Sequence, residues 1–340
     1  MNRQIVFVKK NTAKLLDVED APIRENEVKV QTYVSTISCG TERANLTGDV
    51  NISTSRVVST EAKFPRYAGY SSAGVVVEKG ENVTSVEIGD RVVVYWGSHK
   101  KYNIVNEKNV VKIEDSSISF SDAAMAHIAA FPMAAIRKCR LELGESAMVM
   151  GLGILGQLAV SLLKCGGACP VVAADPNPER RQIALEAGAD FALDPFDENF
   201  EAEVRRLTGG GVNVAIEVTG VGAGLDETLD CMAKFGRVAL LGCTRNKDFS
   251  IDYYRKVHAP GISLIGAHTL ARPELESSHG MYTNADDIRV FLKLTSIGRI
   301  NAGSLVKEVH SPEDCQKVYE RLANDKDFPV VVQFDWTKLN

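Results

Sequence analysis

A chain of 340 residues is longer than one hydrophobic core usually organises, so two domains are expected. Hydrophobic residues at 45% and charged residues at 24% describe an ordinary globular protein and exclude a disordered or fibrous one. A formal net charge of -5 gives no general attraction to phosphate backbones or anionic lipid, so neither nucleic acid nor a membrane is expected as a partner.

The opening residues, MNRQIVFVKKNTAK, lack the apolar core of a signal peptide, and every apolar run is broken too early to span a bilayer. The seven cysteines, at 39, 139, 165, 169, 231, 243 and 315, form no visible pairing framework. A reducing, cytoplasmic setting is therefore expected.

In chain order, residues 1–110 read as mostly β. QIVFV, EVKVQTYV, AGVVVEKG and DRVVVYW are rich in β-branched residues and are separated by turn signals such as ENEV, KGEN and EIGD. From Ser119 the composition changes: SFSDAAMAHIAAFPMAAIRKCRLELG predicts a helix, with Ser121 or Asp122 as its N-cap. Strands and helices then alternate. SAMVM, PVVAAD, FALD, VNVAIEV and GRVALLG read as strands, LGQLAVSLLKCG and PERRQIALEAG as helices, the second closed by Gly188. Such alternation implies right-handed βαβ units and a parallel sheet. After about residue 270 a polar loop, a helix and a last strand, PVVVQFDW, are predicted.

The most informative motif is Gly151-Leu152-Gly153-Ile154-Leu155-Gly156. It follows the strand SAMVM and opens a helix, and Asp175 ends the next strand 24 residues after Gly151. Gly151 permits a tight turn, Gly153 lets backbone approach a pyrophosphate, and Gly156 lets helix and strand pack closely. The helix N-terminus, with Ile154 and Leu155, offers N–H groups to phosphates. Asp175 suits a ribose with both hydroxyls free and repels a 2′-phosphate, so NAD(H) is the expected cofactor. Arg180 flanks the adenine or is a solvated helix charge.

A β-rich region, then a dinucleotide domain, then a short return resembles the medium-chain dehydrogenase/reductase superfamily over essentially the whole chain. EIGDRVVV, LGESAMVMGLGILGQLA and GRVALLG carry the likeness. The resemblance implies an α/β fold, a Rossmann doubly wound parallel sheet inserted in a β-rich GroES-like catalytic domain. Residues 1–120 with 285–340 would form the catalytic domain, and residues 121–284 the dinucleotide-binding domain. It also implies Thr219 and Gly242 beside the cofactor, and a homodimer or homotetramer.

Zinc-dependent members of that family have a Cys in a GxCGTD-like stretch and a His in a GHE-like triplet. Here Ser38-Cys39-Gly40-Thr41-Glu42 retains Cys39, but Gly69-Tyr70-Ser71 replaces the triplet. His127 falls near the position of a further ligand, and RVVVYWGSHKKYNIV runs through the place of the four-cysteine structural lobe. A catalytic zinc takes three protein ligands, and Cys39 and His127 make two at most unless His99 joins them, so no metal is expected. The variant motifs are similar to a zinc-less subgroup of bacteriochlorophyllide and sugar-alcohol dehydrogenase type.

Without zinc, side chains must manage the proton that accompanies hydride transfer. By position, Thr41 matches the family's hydroxyl relay, Tyr70 stands where the imidazole would be, and His127 titrates near neutral pH. Each has a bland alternative: a loop hydrogen bond, a packed wall, a core histidine. Cys39, His99, Lys101, His268 and Arg272 are further candidates for touching a small-molecule substrate; the last two lie in a polar stretch that equally reads as a connector. The expected activity is NAD(H)-dependent interconversion of a secondary alcohol, of sugar or polyol type, and its ketone. Reduction of an enone or quinone C=C bond and a non-catalytic nucleotide-binding role are the rivals.

Overall fold

The computed structural model describes residues 1–52, 60–246 and 248–339. The chain divides into two compact units, Met1–Ile128 with Ile288–Asn340, and Ala129–Asp287.

The first unit is built on antiparallel sheet. A seven-stranded sheet runs in the order Val306–His310, Val331–Asp335, Glu27–Thr36, Ser71–Lys79, Arg91–Tyr95 and Val110–Lys112, and Tyr102–Asn106 also pairs with Glu27–Thr36. Alternation drives it: along Glu27–Thr36, Val28, Val30 and Thr32 are buried and their neighbours are not, the period-two pattern of a sheet with one covered face. A smaller sheet orders Thr12–Val18, Asn2–Lys9 and Arg66–Tyr67. Its residues Ile5 and Phe7 share a core with Leu46, Val318, Tyr319, Leu322, Phe334 and Trp336, so the two ends of the chain close one core.

The second unit holds a six-stranded, wholly parallel sheet. Its order is Phe191–Leu193, Val171–Ala174, Ala147–Met150, Val212–Glu217, Met232–Leu240 and Ser263–Gly266. The central strands Ala147–Met150 and Val171–Ala174 are buried at every position, as both-face coverage by helices requires. Strand order reverses between Ala147–Met150 and Val212–Glu217, the crevice where such sheets take ligands beyond their C-terminal ends.

Three sequence expectations change in detail. The single helix after Ser119 is two: Phe120–Ala123, then Ala126–Lys138. The N-cap is Ser119, not Ser121 or Asp122, because the Ser119 hydroxyl accepts from the Asp122 N–H. The tail holds two helices, Asn284–Ser296 and Cys315–Asn324, and an added strand, Val306–His310. Among the described residues, no helix is long and apolar enough to cross a membrane.

Candidate active site

In the second unit the glycine motif forms the turn from strand Ala147–Met150 into helix Ile154–Cys165. Gly151 has φ +98, the left-handed region that favours glycine. A Cβ on Gly156 would lie 1.9 Å from the Gly151 carbonyl oxygen, so only glycine lets helix and turn touch. A Cβ on Gly153 would meet nothing within 4 Å, and Gly153 is the N-cap of the helix. Open space therefore faces the first N–H groups of a helix, the geometry that accepts a phosphate. The Ile154 side chain is buried, so this residue can contribute only main chain there; Leu155 is half-buried.

Asp175 follows the neighbouring strand. Its Oδ2 accepts from Leu152 N–H at 2.8 Å and its Oδ1 from Asn177 N–H at 2.9 Å. A carboxylate has about four acceptor positions, so these bonds leave two, on a residue that is itself 5% exposed. Arg180 Nη1 is 3.8 Å from Asp175 Oδ2. A Cβ at Gly151 would come within 3.0 Å of the Thr219 side chain, and one at Gly242 within 2.4 Å of the Gly220 nitrogen. Thr219 and Gly242 thus belong to one close-packed cluster at the strand ends. Sequence reading missed the anchor of that cluster, Glu217. Its carboxylate accepts from the Thr219 N–H at 2.7 Å, the Gly220 N–H at 3.2 Å and the Thr219 hydroxyl, and burial raises its pKa.

The first unit brings together Ser38, Tyr70 and His127. Ser38 is the N-cap of helix Cys39–Thr47, yet its hydroxyl makes no cap hydrogen bond. Instead it pairs with the Tyr70 phenol at 2.5 Å. Glu42 reaches back so that its Oε1 accepts from Ser38 N–H at 2.9 Å. Thr41 is half-buried in the first turn of this helix.

The main chain of Tyr70 is held firmly. Its carbonyl accepts from Trp96 N–H at 3.0 Å and from His127 Nδ1 at 2.9 Å, which places the His127 proton on Nδ1. Its neighbour Gly69 has φ +95, and a Cβ there would lie 2.2 Å from the His99 nitrogen. His127 is fully buried, with ring centroids of Trp96, Tyr70 and Tyr95 at 4.6, 5.4 and 5.4 Å. The expectation of His127 as an acid/base group in contact with substrate is therefore corrected. An imidazole enclosed by three aromatic rings and bonded to Tyr70 holds the tyrosine in place.

His99, a candidate for touching substrate, is fully buried. Its Nδ1 is 2.7 Å from the Ser35 hydroxyl, which accepts from Trp336 Nε1 at 2.9 Å, and its Nε2 is 3.2 Å from Glu42 Oε2. Tyr319 donates to Glu42 Oε2 at 2.6 Å. Burial, then the charge of Glu42, raises the Tyr319 pKa well above its ordinary value, so the phenol stays a donor. Glu42 thus takes hydrogen bonds from Tyr319, His99 and Ser38, the condition under which a buried carboxylate is tolerable. Sequence reading quoted Glu42 but gave it no role; an acidic residue four positions after an N-cap serine was the available signal.

The remaining candidates are dispersed. The Cys39 sulfur lies 4.0 Å from the carbonyl oxygens of Ile37, Pro329 and Val330, and the residue packs on the apolar core. Lys101 sits half-buried, with its ammonium 5.8 Å from the Tyr102 ring. In the second unit, Arg272 is not a solvated connector charge. Its side chain is 3% exposed, 3.4 Å from buried Asp287, and donates to the Ala130 carbonyl. His268 is at the surface; partial burial and the positive charge of Lys138 lower its pKa.

The zinc implied by the family resemblance can be tested on these donors. Cys39 faces main-chain carbonyls, His127 Nδ1 is bonded to Tyr70, and His99 and Glu42 are bonded to each other. Among the described residues, no group of three His, Cys, Asp or Glu side chains could hold a metal ion. The donor set does not fit a catalytic zinc, which takes three protein ligands and a water.

The second unit carries a Rossmann-type glycine turn at a helix N-terminus, and the first carries the paired hydroxyls of Ser38 and Tyr70. Comparison with known proteins extends to both units. Residues 24–135 match the alcohol dehydrogenase GroES-like domain, and residues 155–282 match the zinc-binding dehydrogenase model. The D-guloside 3-dehydrogenase of Escherichia coli (strain K12) is 27% identical over 288 residues, covering 80% of this chain and 82% of that protein. The crystal structure of 2R,3R-butanediol dehydrogenase from Bacillus subtilis superposes with a TM-score of 0.81 at 22% identity, covering 98% of this chain and 99% of that one. An alcohol dehydrogenase from E. coli CFT073 complexed with NADH superposes with a TM-score of 0.82 at 19% identity, with coverage of 98% and 99%. The chain belongs to the medium-chain dehydrogenase/reductase superfamily. It is an enzyme of the alcohol dehydrogenase type.

Proposed function

We propose that this enzyme uses NAD(H) to interconvert a secondary alcohol of sugar or polyol type with its ketone, and does so without zinc. The observation that carries the reading is Tyr70: a phenol held 2.5 Å from Ser38 and anchored through its carbonyl, at the position where the family's imidazole ligand would stand. The names of similar proteins, a D-guloside 3-dehydrogenase and a butanediol dehydrogenase, support a secondary alcohol.

The nicotinamide, when bound, takes or supplies the hydride. The residues to hold the dinucleotide are Gly151, Gly153, Gly156, Asp175, Thr219 and Gly242. Asp175 favours NAD(H), because its negative charge would repel a 2′-phosphate. In the direction of ketone reduction, the Tyr70 phenol donates its proton to the carbonyl oxygen as that oxygen becomes an alcohol. In oxidation the Tyr70 oxygen receives the proton that the alcohol oxygen gives up. Thr41 supplies a second hydroxyl, and His127 keeps Tyr70 in register.

The test is a panel of sugars, glycosides, polyols and aromatic alcohols, read by NAD reduction, with and without a chelator. Turnover of a polyhydroxylated secondary alcohol by metal-free enzyme is expected, and Tyr70→Phe should lower kcat by roughly 10²-fold, the usual scale for a general acid–base group. Stoichiometric zinc lost together with activity, or a Tyr70→Phe enzyme as fast as wild type, would overturn the reading.

A further inference from the structure

An N-cap serine ordinarily spends its hydroxyl on the exposed N–H groups of its own helix. Ser38 does not: its hydroxyl makes no cap hydrogen bond. Glu42 fixes the Ser38 main chain, with Oε1 accepting from Ser38 N–H. That carboxylate is 1% exposed and is fixed in turn by Tyr319 and His99. Ser38 is itself 5% exposed, so its hydroxyl has little water to turn towards. A buried scaffold thus holds the Ser38 main chain and leaves its hydroxyl to Tyr70 Oη, 2.5 Å away.

We propose that Ser38 is the positioning residue of the reaction, aiming the Tyr70 phenol and sharing its proton, with the Glu42–His99–Tyr319 cluster as the mount. The inference rests on the role given to Tyr70 above. A serine hydroxyl can accept from the phenol and donate back to it through its second site, so one contact serves the tyrosine before and after proton transfer. No net proton is stored on Ser38; the O–H bond lost at Tyr70 reappears on the substrate oxygen. A phenol that lost this partner would rotate about its ring axis to no effect, but its C–O bond would lose the restraint that fixes its tilt.

The experiment is a double-mutant cycle on the best alcohol substrate of the panel. Ser38→Ala is expected to lower kcat tenfold or more while KM and NADH affinity stay within about twofold, since it removes a catalytic restraint and not a binding contact. Ser38→Thr, which keeps the hydroxyl, should recover most of the rate. In a Tyr70→Phe background, Ser38→Ala should cost almost nothing further, because residues acting as a unit are strongly non-additive. If Ser38→Ala folds poorly by thermal melting, Ser38→Cys keeps the side-chain volume and is expected to show the same kcat loss. Additive losses, or full kcat in Ser38→Ala with Tyr70→Phe impaired, would overturn the Ser38 role alone. Full activity of Tyr70→Phe would remove the reading beneath it.

Discussion

Gly153 and Gly156 stand three residues apart in one motif, and the structure separates their functions. A methyl at Gly156 would press to 1.9 Å from the Gly151 carbonyl, so turn and helix would have to part by about 1 Å to restore contact. Overpacking of that kind costs roughly 1–3 kcal/mol, or about 2–12 °C of melting temperature at this domain size. Gly153 has φ -72 and ψ -171, a conformation open to any residue, and its Cβ would meet nothing within 4 Å. Ala there should leave the melting temperature within about 3 °C, because the loss of a slightly better N-cap is offset by a stiffer unfolded chain. Its methyl would stand in front of the helix N-terminus, so dinucleotide affinity should fall tenfold or more, about 1.4 kcal/mol. Scanning calorimetry and titration calorimetry with NADH on both variants measure the two quantities. Gly153→Ala with wild-type affinity would refute the phosphate placement, and Gly156→Ala with wild-type melting would refute the packing argument.

Other expectations follow from the same contacts. Wild-type enzyme should bind NADH more tightly than NADPH by calorimetry, and Asp175→Asn should narrow the gap by removing charge while keeping much of the turn. Glu42→Ala leaves the hydrogen-bond donors Tyr319, His99 and Ser38 stranded in a dry core and should cost about 3–5 kcal/mol in urea denaturation. Tyr319→Phe, which removes one donor, should cost about 1–2 kcal/mol in the same assay. The hydrogen bond from Arg321 holds the Glu308 carboxyl at a pKa of about 2, below its ordinary 4.5. A lowered carboxylate pKa stabilises the fold above the unfolded value and ceases to do so as pH falls through the folded one. The stability difference between wild type and Arg321→Met should therefore be full at neutral pH and shrink between pH 4.5 and 2, as followed by urea midpoints.

The parts legible in the sequence were those with a local physical cause. The glycine turn, the buried runs AMVM and VVAA and the acidic strand end are each written in a few consecutive residues, and the parallel sheet follows from their spacing. The break at Ala124–Met125 was not legible, because an Ala-rich stretch has no residue that forbids helix and the interruption is set by packing. Glu42 and His99 were opaque for a different reason. Their meaning lies in partners at Ser35, Tyr319 and Trp336, up to 301 positions apart, and a single sequence carries no record of such pairings. Tyr70 was singled out by its position in a motif, while its hydrogen-bond partner Ser38 was passed over as a flanking residue.

The strand Val331–Asp335 pairs antiparallel with Glu27–Thr36, matching Gln333 to Thr36. During synthesis the early strand must therefore wait for nearly the whole chain, about 15–60 s at ribosomal speed. The parallel-sheet unit is contiguous from Ala129 to Asp287 and is free to fold in that interval. Until Tyr319 and Trp336 emerge, the Glu42 carboxylate lacks its phenol donor and the Ser35 hydroxyl beside His99 lacks its indole donor. The mount beneath Ser38 is thus among the last features a nascent chain can complete. A ribosome stalled before residue 319 would carry the whole of the parallel-sheet unit and only part of the antiparallel one.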